Sequence, residues 1–383
     1  MKAQTAKRIM IVAGEASGDI YGAGLIRAVH AIDPTFHFFG IGGARMREAG
    51  AETMADSADM AVVGLVEVLK HFDVIAPAFL QLKRILQNDP PDLLILIDYP
   101  GFNLRLAKVA KQAGVKVLYY ISPQIWAWRQ GRVKKIKKLV DHMAVILPFE
   151  APLYEQAGVP VSFVGHPMAD RVKTELSHDE AASSFGLDPS RPIVGLFPGS
   201  RRSEVSRLLP VILDAAQLLQ QQFPDVQFVL PLASTLSDAD LAPYLVGHQL
   251  SITTTRERIH DLIKACDAVI AVSGTVTLEI ALVGTPLVII YKLAALTYQL
   301  AVRLVKVDHI GLCNIVAGET VAQELIQDDA SPQRIAQEIG RILSDARYAD
   351  ELKQGLANVR QRLGGGGSDQ KMAALVMALV EQS

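Results

Sequence analysis

Cysteine is scarce in this chain: two residues in 383, Cys266 and Cys313. They form neither a C-x-x-C redox pair nor part of a ligand cluster, and a reducing compartment suits them. The nine histidines show no close pair or ligand spacing, so no metal is expected. No apolar run reaches the ~18 residues of a membrane-spanning helix. The opening "MKAQTAKRIMIVAGEASGD" has too short an apolar run for a signal peptide, and glycines and acids interrupt it. The expectation is a cytoplasmic protein that can still touch a membrane surface. Charge excess is also small. A net charge of −2 creates no field suited to a polyanion, so nucleic acid is not an expected partner. G-x-G-x-x-G and the P-loop lysine are absent, which excludes the usual dinucleotide and Walker readings. There are no internal repeats.

What the chain does have is apolar material: half of it is hydrophobic, enough for two cores. The runs "RIMIVA", "FHFFG", "LLILID", "KVLYYI", "HMAVIL" and "VSFVG" alternate with helical stretches. They lack the polar alternation of a half-exposed strand, so both faces must be covered, as in a parallel sheet between helices. A polar stretch, "KTELSHDEAASSFGLDPSRP", interrupts the pattern. A second series follows: "PIVGLF", "VQFVLP", "LSITT", "AVIAV" and "PLVIIY". The fold class read from this is α/β, with two doubly wound, Rossmann-like parallel-sheet domains facing a central cleft. The expected boundaries are 1–168 and 190–345. Residues 346–383 are expected as C-terminal helices that pack back toward the first domain, with Gly364–Gly367 as a flexible joint.

In such sheets ligands bind at the carboxyl ends of strands. Five strand-end turns carry candidate chemistry. In "VAGEASGDIYGAG", Glu15 sits in the turn itself; it would repel a phosphate but could accept hydrogen bonds from sugar hydroxyls. The plainer role is a helix N-cap, and Gly22 and Gly24 read equally well as close-packing positions. In "LLILIDYPGFN", Asp98 ends a wholly apolar strand, where a charge is costly unless it is paired or functional. "ISPQIWAWRQGRVKKIKK" places Trp126 and Trp128 before a basic run. That run reads as a solvated helix face, but the two indoles suit a half-wet boundary. In "LFPGSRRSEV", Ser200 and Arg201 stand at a helix N-terminus, where free N–H groups and a forked donor would hold a phosphate. In "AVSGTVTLE", Ser273, Gly274 and Thr275 repeat that arrangement, and Glu279 lies one turn on, within reach of ribose hydroxyls. Ordinary capping is the alternative for Ser273 and Thr275. The "DAD" at 238–240 reads as acids in a first helical turn rather than as a cation site.

Together these turns resemble one family: lipid-A-disaccharide synthase, an inverting glycosyltransferase family of the two-domain GT-B type. The likeness runs through nearly the whole chain, on "GEASGD", "IDYPGFN", "ISPQIWAWR", "LPFE", "GHP", "LFPGSR", "SGTVTLE", "NIVAG" and "ELIQ". One departure is Cys313, where the family pattern has proline. The resemblance implies transfer of a 2,3-diacylglucosamine unit from UDP to 2,3-diacylglucosamine 1-phosphate. The products are a β-1,6 disaccharide 1-phosphate and UDP, formed without cofactor or metal at the cytoplasmic face of the inner membrane. Carried over, it gives a UDP side of Arg201, Ser273, Gly274, Thr275, Glu279, Asn314 and Gln327, and places Glu15 and Asp98 on the acceptor side. It leaves a homodimer open. The other readings are a UDP-sugar 2-epimerase or a different GT-B transferase, and a non-catalytic lipid- or nucleotide-sugar-binding module.

Two expectations follow. Asp98 is the expected general base for the acceptor 6-hydroxyl, because its strand is rigid and apolar; Glu15, on a glycine turn, suits positioning better. Residues 61–82, "AVVGLVEVLKHFDVIAPAFLQL", carry more apolar surface than one core stripe uses. Val66, Val68, Leu69, Phe72 and Ile75, with Trp126 and Trp128, are expected to touch membrane or acyl chains. A core or dimer helix is the alternative.

Overall fold

A computed structural model describes residues 6–60, 72–125, 130–233, 235–248, 250–293 and 308–381. The chain divides into two compact units, Met1–Pro167 with Gly366–Ser383, and Met168–Gly365.

The first unit is built on a seven-stranded sheet. Its strands are β1 (Arg8–Ala13), β2 (His37–Gly42), β3 (Glu52–Asp56), β4 (Leu93–Ile97), β5 (Lys116–Tyr120), β6 (His142–Val145) and β7 (Val161–Phe163), in the order β3-β2-β1-β4-β5-β6-β7. Every pairing is parallel. The apolar runs lie inside: all five residues of β4 are buried, as are the last five of β1. Each such Leu, Ile or Val contributes ~1.5–3 kcal/mol when withdrawn from water.

The second unit repeats the plan with six strands. They are β8 (Ile193–Phe197), β9 (Gln227–Pro231), β10 (Ile252–Thr255), β11 (Ala268–Val272), β12 (Leu287–Tyr291) and β13 (Gln323–Ile326), in the order β10-β9-β8-β11-β12-β13. These pairings too are parallel. In both sheets the order reverses beside the first strand, at β1/β4 and at β8/β11, which is where open α/β sheets open a crevice.

The tail is divided rather than continuous. Ala346–Arg362 belongs to the second unit, whereas Ser368–Glu381 packs on helix Ala16–Ile32 of the first. Gly364–Gly367 all have positive φ, so the joint is a turn that only glycine makes without strain. Gly24 is a close approach: a Cβ there would collide with the Asp369 carboxylate.

Candidate active site

At the β1/β4 crevice of the first unit, Glu15 follows β1 and Asp98 follows β4. Glu15 is exposed and is the N-cap of helix Ala16–Ile32, but its side chain makes no capping hydrogen bond. Its carboxylate is therefore not spent on the helix. Asp19 in the same motif has a structural task. Buried, it accepts from the backbone N–H of Gly43 (2.6 Å), Arg45 (3.0 Å) and Met46 (3.0 Å), capping helix Ala44–Glu48 from another helix. Four N–H groups at a helix start lack internal partners, and one carboxylate here serves three donors at that start.

Asp98 is held from several directions. Its N–H donates to the Tyr120 carbonyl (3.0 Å), and its own carbonyl accepts from Tyr119 Oη (2.6 Å) and Asn103 Nδ2 (2.7 Å). Asn103, fully buried, also donates to the Ile97 carbonyl. These bonds keep two successive non-glycine residues, Asp98 (φ 44°) and Tyr99 (φ 46°), in the left-handed region. Ile121, at the end of the adjacent β5, is also left-handed (φ 68°). For a β-branched residue this is a rare conformation, and such strain gathers where a site over-determines its backbone. Burial, and after it the charge of Glu15, push the Asp98 carboxyl up to about 6. The Tyr99 ring lies over Gly14, where it leaves no room for a Cβ, and its hydroxyl donates to the Met60 carbonyl. Asn103 and Tyr99 were not singled out from sequence, although both stand inside "IDYPGFN".

The β8/β11 crevice of the second unit holds a cavity of about 450 Å³. Its walls include Ser200, Arg201, Ser273, Gly274, Thr275 and Glu279. All six were singled out from sequence, and one cavity gathers them. Ser273 Oγ donates to the Ile310 carbonyl (2.9 Å), tying the turn to the next loop. Thr275 is the helix N-cap yet makes no side-chain cap bond. Glu279 is half-buried, 3.3 Å from His260 Nε2. Thr255, Arg256 and Glu257, at the end of β10 and just after it, and Glu204 also line the cavity and were missed. The signal for Arg256 and Glu257 was the charged "RER" directly following a strand.

Asn314 and Gln327 do not line this cavity. Asn314 is buried; its Nδ2 donates to the Ala322 carbonyl and Glu324 Oε1, and its Oδ1 accepts from the N–H of Val321 and Ala322. Gln327 bonds both backbone groups of Leu293. In this structure both side chains brace loops. The "DAD" acids sit in a first helical turn, with Asp240 paired to Arg202 and Asp238 to Arg256. Both cysteines are buried, with thiols pushed up by desolvation, so neither is poised as a nucleophile. Among the described residues no group of His, Cys, Asp and Glu could hold a metal ion.

Of the apolar set, Val66, Val68, Leu69, Trp126 and Trp128 lie outside the described residues, as does the side chain of Phe72. Ile75 is described: on helix Phe72–Asn88 it is half-buried and packs against the core of the first unit. Among the described residues no helix is long and apolar enough to cross a membrane.

Comparison with known proteins gives a consistent picture. The family model described as lipid-A-disaccharide synthetase matches residues 9–377. A lipid-A-disaccharide synthase of Trichlorobacter lovleyi is 79% identical, over 98% of each chain. Among solved structures, UDP-GlcNAc 2-epimerase from Neisseria meningitidis, bound to UDP-GlcNAc, is similar at a TM-score of 0.66 and 12% identity, over 98% of this chain and 100% of that one. The glycotransferase of kitacinnamycin is similar at 0.64 and 14%, over 98% and 100%. The structural likenesses speak to the GT-B fold that transferases and epimerases share.

Proposed function

The chain belongs to the lipid-A-disaccharide synthase family, a glycosyltransferase family acting on a nucleotide-sugar donor and a lipid acceptor, and from that premise we propose how its residues divide the reaction. The donor is UDP-2,3-diacylglucosamine and the acceptor 2,3-diacylglucosamine 1-phosphate. The second unit's cavity takes the UDP: Ser200 and Arg201 at one turn, and Ser273, Gly274 and Thr275 at the other, hold the diphosphate. Glu279 takes the ribose hydroxyls. Asn314 and Gln327 act on this side through the loops they brace.

In the first unit, Asp98 is the general base and Glu15 orients the acceptor. The acceptor 6-hydroxyl oxygen attacks the anomeric carbon from the face opposite UDP, and the carbon–oxygen bond to the diphosphate breaks. UDP leaves with that electron pair, and the hydroxyl proton passes to the Asp98 carboxylate. The observation that carries this assignment is an aspartate whose backbone is fixed by three hydrogen bonds at the strand-order reversal, with its carboxyl pushed up to about 6. A base works best with a pKa near the working pH, and desolvation brings it there. We place the enzyme at the cytoplasmic face of the inner membrane, where both acylated substrates reside.

The test is direct. Incubation with both diacylated substrates should release one UDP per β-1,6 disaccharide 1-phosphate formed. UDP-sugar binding without disaccharide would instead make the chain a binding module, and interconversion of the sugar at C2 would make it an epimerase.

A further inference from the structure

The donor turn of the second unit already contains an anion. Glu204 lies one turn into helix Arg202–Gln222, and its carboxylate folds back over the turn. Oε2 accepts from the N–H of Ser200 (3.1 Å) and of Arg201 (3.2 Å), and Oε1 accepts from Arg201 Nη1 (2.6 Å). Those are two backbone donors and the forked donor that a phosphate would use there. Gly199 makes room for the carboxylate. Its φ is 99°, and a Cβ there would collide with Glu204 Oε2. The Glu204 side chain is 16% exposed and Arg201 77%, so the carboxylate is the inner member of the pair. Neighbouring cations are committed elsewhere, Arg202 to Asp240 and Arg256 to Asp238.

We propose that Glu204 is a positioning residue that competes with the donor diphosphate: its carboxylate holds the Ser200–Arg201 donors in the free enzyme and yields them when the nucleotide binds. This rests on the reading of the 198–201 turn as the diphosphate site. Two anions cannot share the same N–H groups at hydrogen-bond distance without strong repulsion. The donors thus stay in place while the site is empty, at a cost in affinity for donor and UDP alike. For a transferase that must shed UDP each turnover, weaker product binding is useful.

Glu204→Gln keeps the shape and an oxygen that can accept from the turn, but removes the competing charge. UDP binding by calorimetry should tighten by roughly tenfold, about 1.4 kcal/mol. Donor KM and the inhibition constant of UDP should fall with it. Glu257→Gln is the control: Glu257 lines the same cavity, is exposed, and makes no bond to the turn. It should change affinity much less. Unchanged or weaker UDP binding in Glu204→Gln, with a melting temperature like the wild type's, would overturn the proposal, because Glu204 would then be only a cap. Equal tightening in both variants would overturn it too, by reducing the effect to general charge. If Glu204→Gln folds poorly, Glu204→Ser removes the charge and the bonds to the turn together. It should also tighten UDP binding, and weaker binding there would refute the idea. Arg201→Ala, run in parallel, separates the two levels: unchanged UDP affinity in that variant removes the turn itself from the site, whatever Glu204 does.

Discussion

Glu15→Gln removes one negative charge from beside Asp98 without breaking a capping bond, since the Glu15 side chain makes none. The Asp98 carboxyl stands at about 6 against an ordinary 3.8. A displacement of roughly two units, at 1.36 kcal/mol per unit, corresponds to about 3 kcal/mol of preference for the protonated form. Burial is the larger cause and Glu15 the second. The substitution should therefore recover only part of the displacement, because burial, the larger cause, remains. The assay is kcat against pH. Wild type should lose activity as pH falls through about 6, because the base is then protonated; in Glu15→Gln the acid limb should move down yet remain above 3.8. The position of the limb reports the carboxyl, whatever happens to the height of the plateau. Stability must follow the same sign. A carboxyl raised in the folded state favours folding below its unfolded pKa, and that contribution is lost as pH rises through the folded value. Asp98→Asn should thus be more stable than wild type at about pH 8, by up to about 3 kcal/mol, with the gain gone near about pH 4. A limb that stays at about 6 in Glu15→Gln, or an Asp98→Asn protein less stable than wild type at about pH 8, would refute the reasoning.

Other consequences can be checked separately. Asn103→Ala removes the buried donor to the Ile97 and Asp98 carbonyls; it should cost about 1–3 kcal/mol in urea unfolding and lower kcat at least about tenfold, with UDP affinity unchanged. Gly24→Ala should destabilise the first unit, because the clash with Asp369 costs ~1–3 kcal/mol while the gain in helix propensity is only about 1 kcal/mol; a rise in unfolding midpoint would show that the helix contact relaxes freely. Val68→Ser should weaken binding to anionic vesicles with little change in melting temperature, whereas Ile75→Ser should lower the melting temperature because Ile75 packs on the core; a large stability loss in Val68→Ser with vesicle binding intact would assign that position to a core or dimer helix.

The interior strands were legible because a doubly covered strand must be apolar throughout: "LLILID" marks β4 and "AVIAV" marks β11, each to within one residue. Two of the four edge strands were not, although β7 ("VSFVG") and β10 ("LSITT") were. β3, "ETMAD", and β13, "QELI", each have one neighbour and are only partly buried, so nothing requires an unbroken apolar run of them. The strand-end turns were found for the same reason as the strands, since a charge or glycine directly after a buried run stands out. What the individual side chains do there is set by partners distant in the chain. Asp19 caps a helix whose start, at Gly43, lies 24 residues on. No local cue marks the task of Asn314 either, because its partners lie on the returning loop at Val321 and Ala322. Glu204 could have been suspected from spacing alone, because a Glu three residues after a helix start often reaches back.

The central claim is that Asp98 takes the proton while the second unit holds UDP, and a single paired measurement on Asp98→Asn tests it most directly: kcat with both diacylated substrates, and UDP-sugar affinity by calorimetry. General-base catalysis typically supplies ~10²–10⁴-fold, so kcat should fall by about that range while UDP-sugar affinity stays at the wild-type value. Near-normal turnover in Asp98→Asn, with Glu15→Gln inactive, would contradict the assignment and transfer the proton to Glu15.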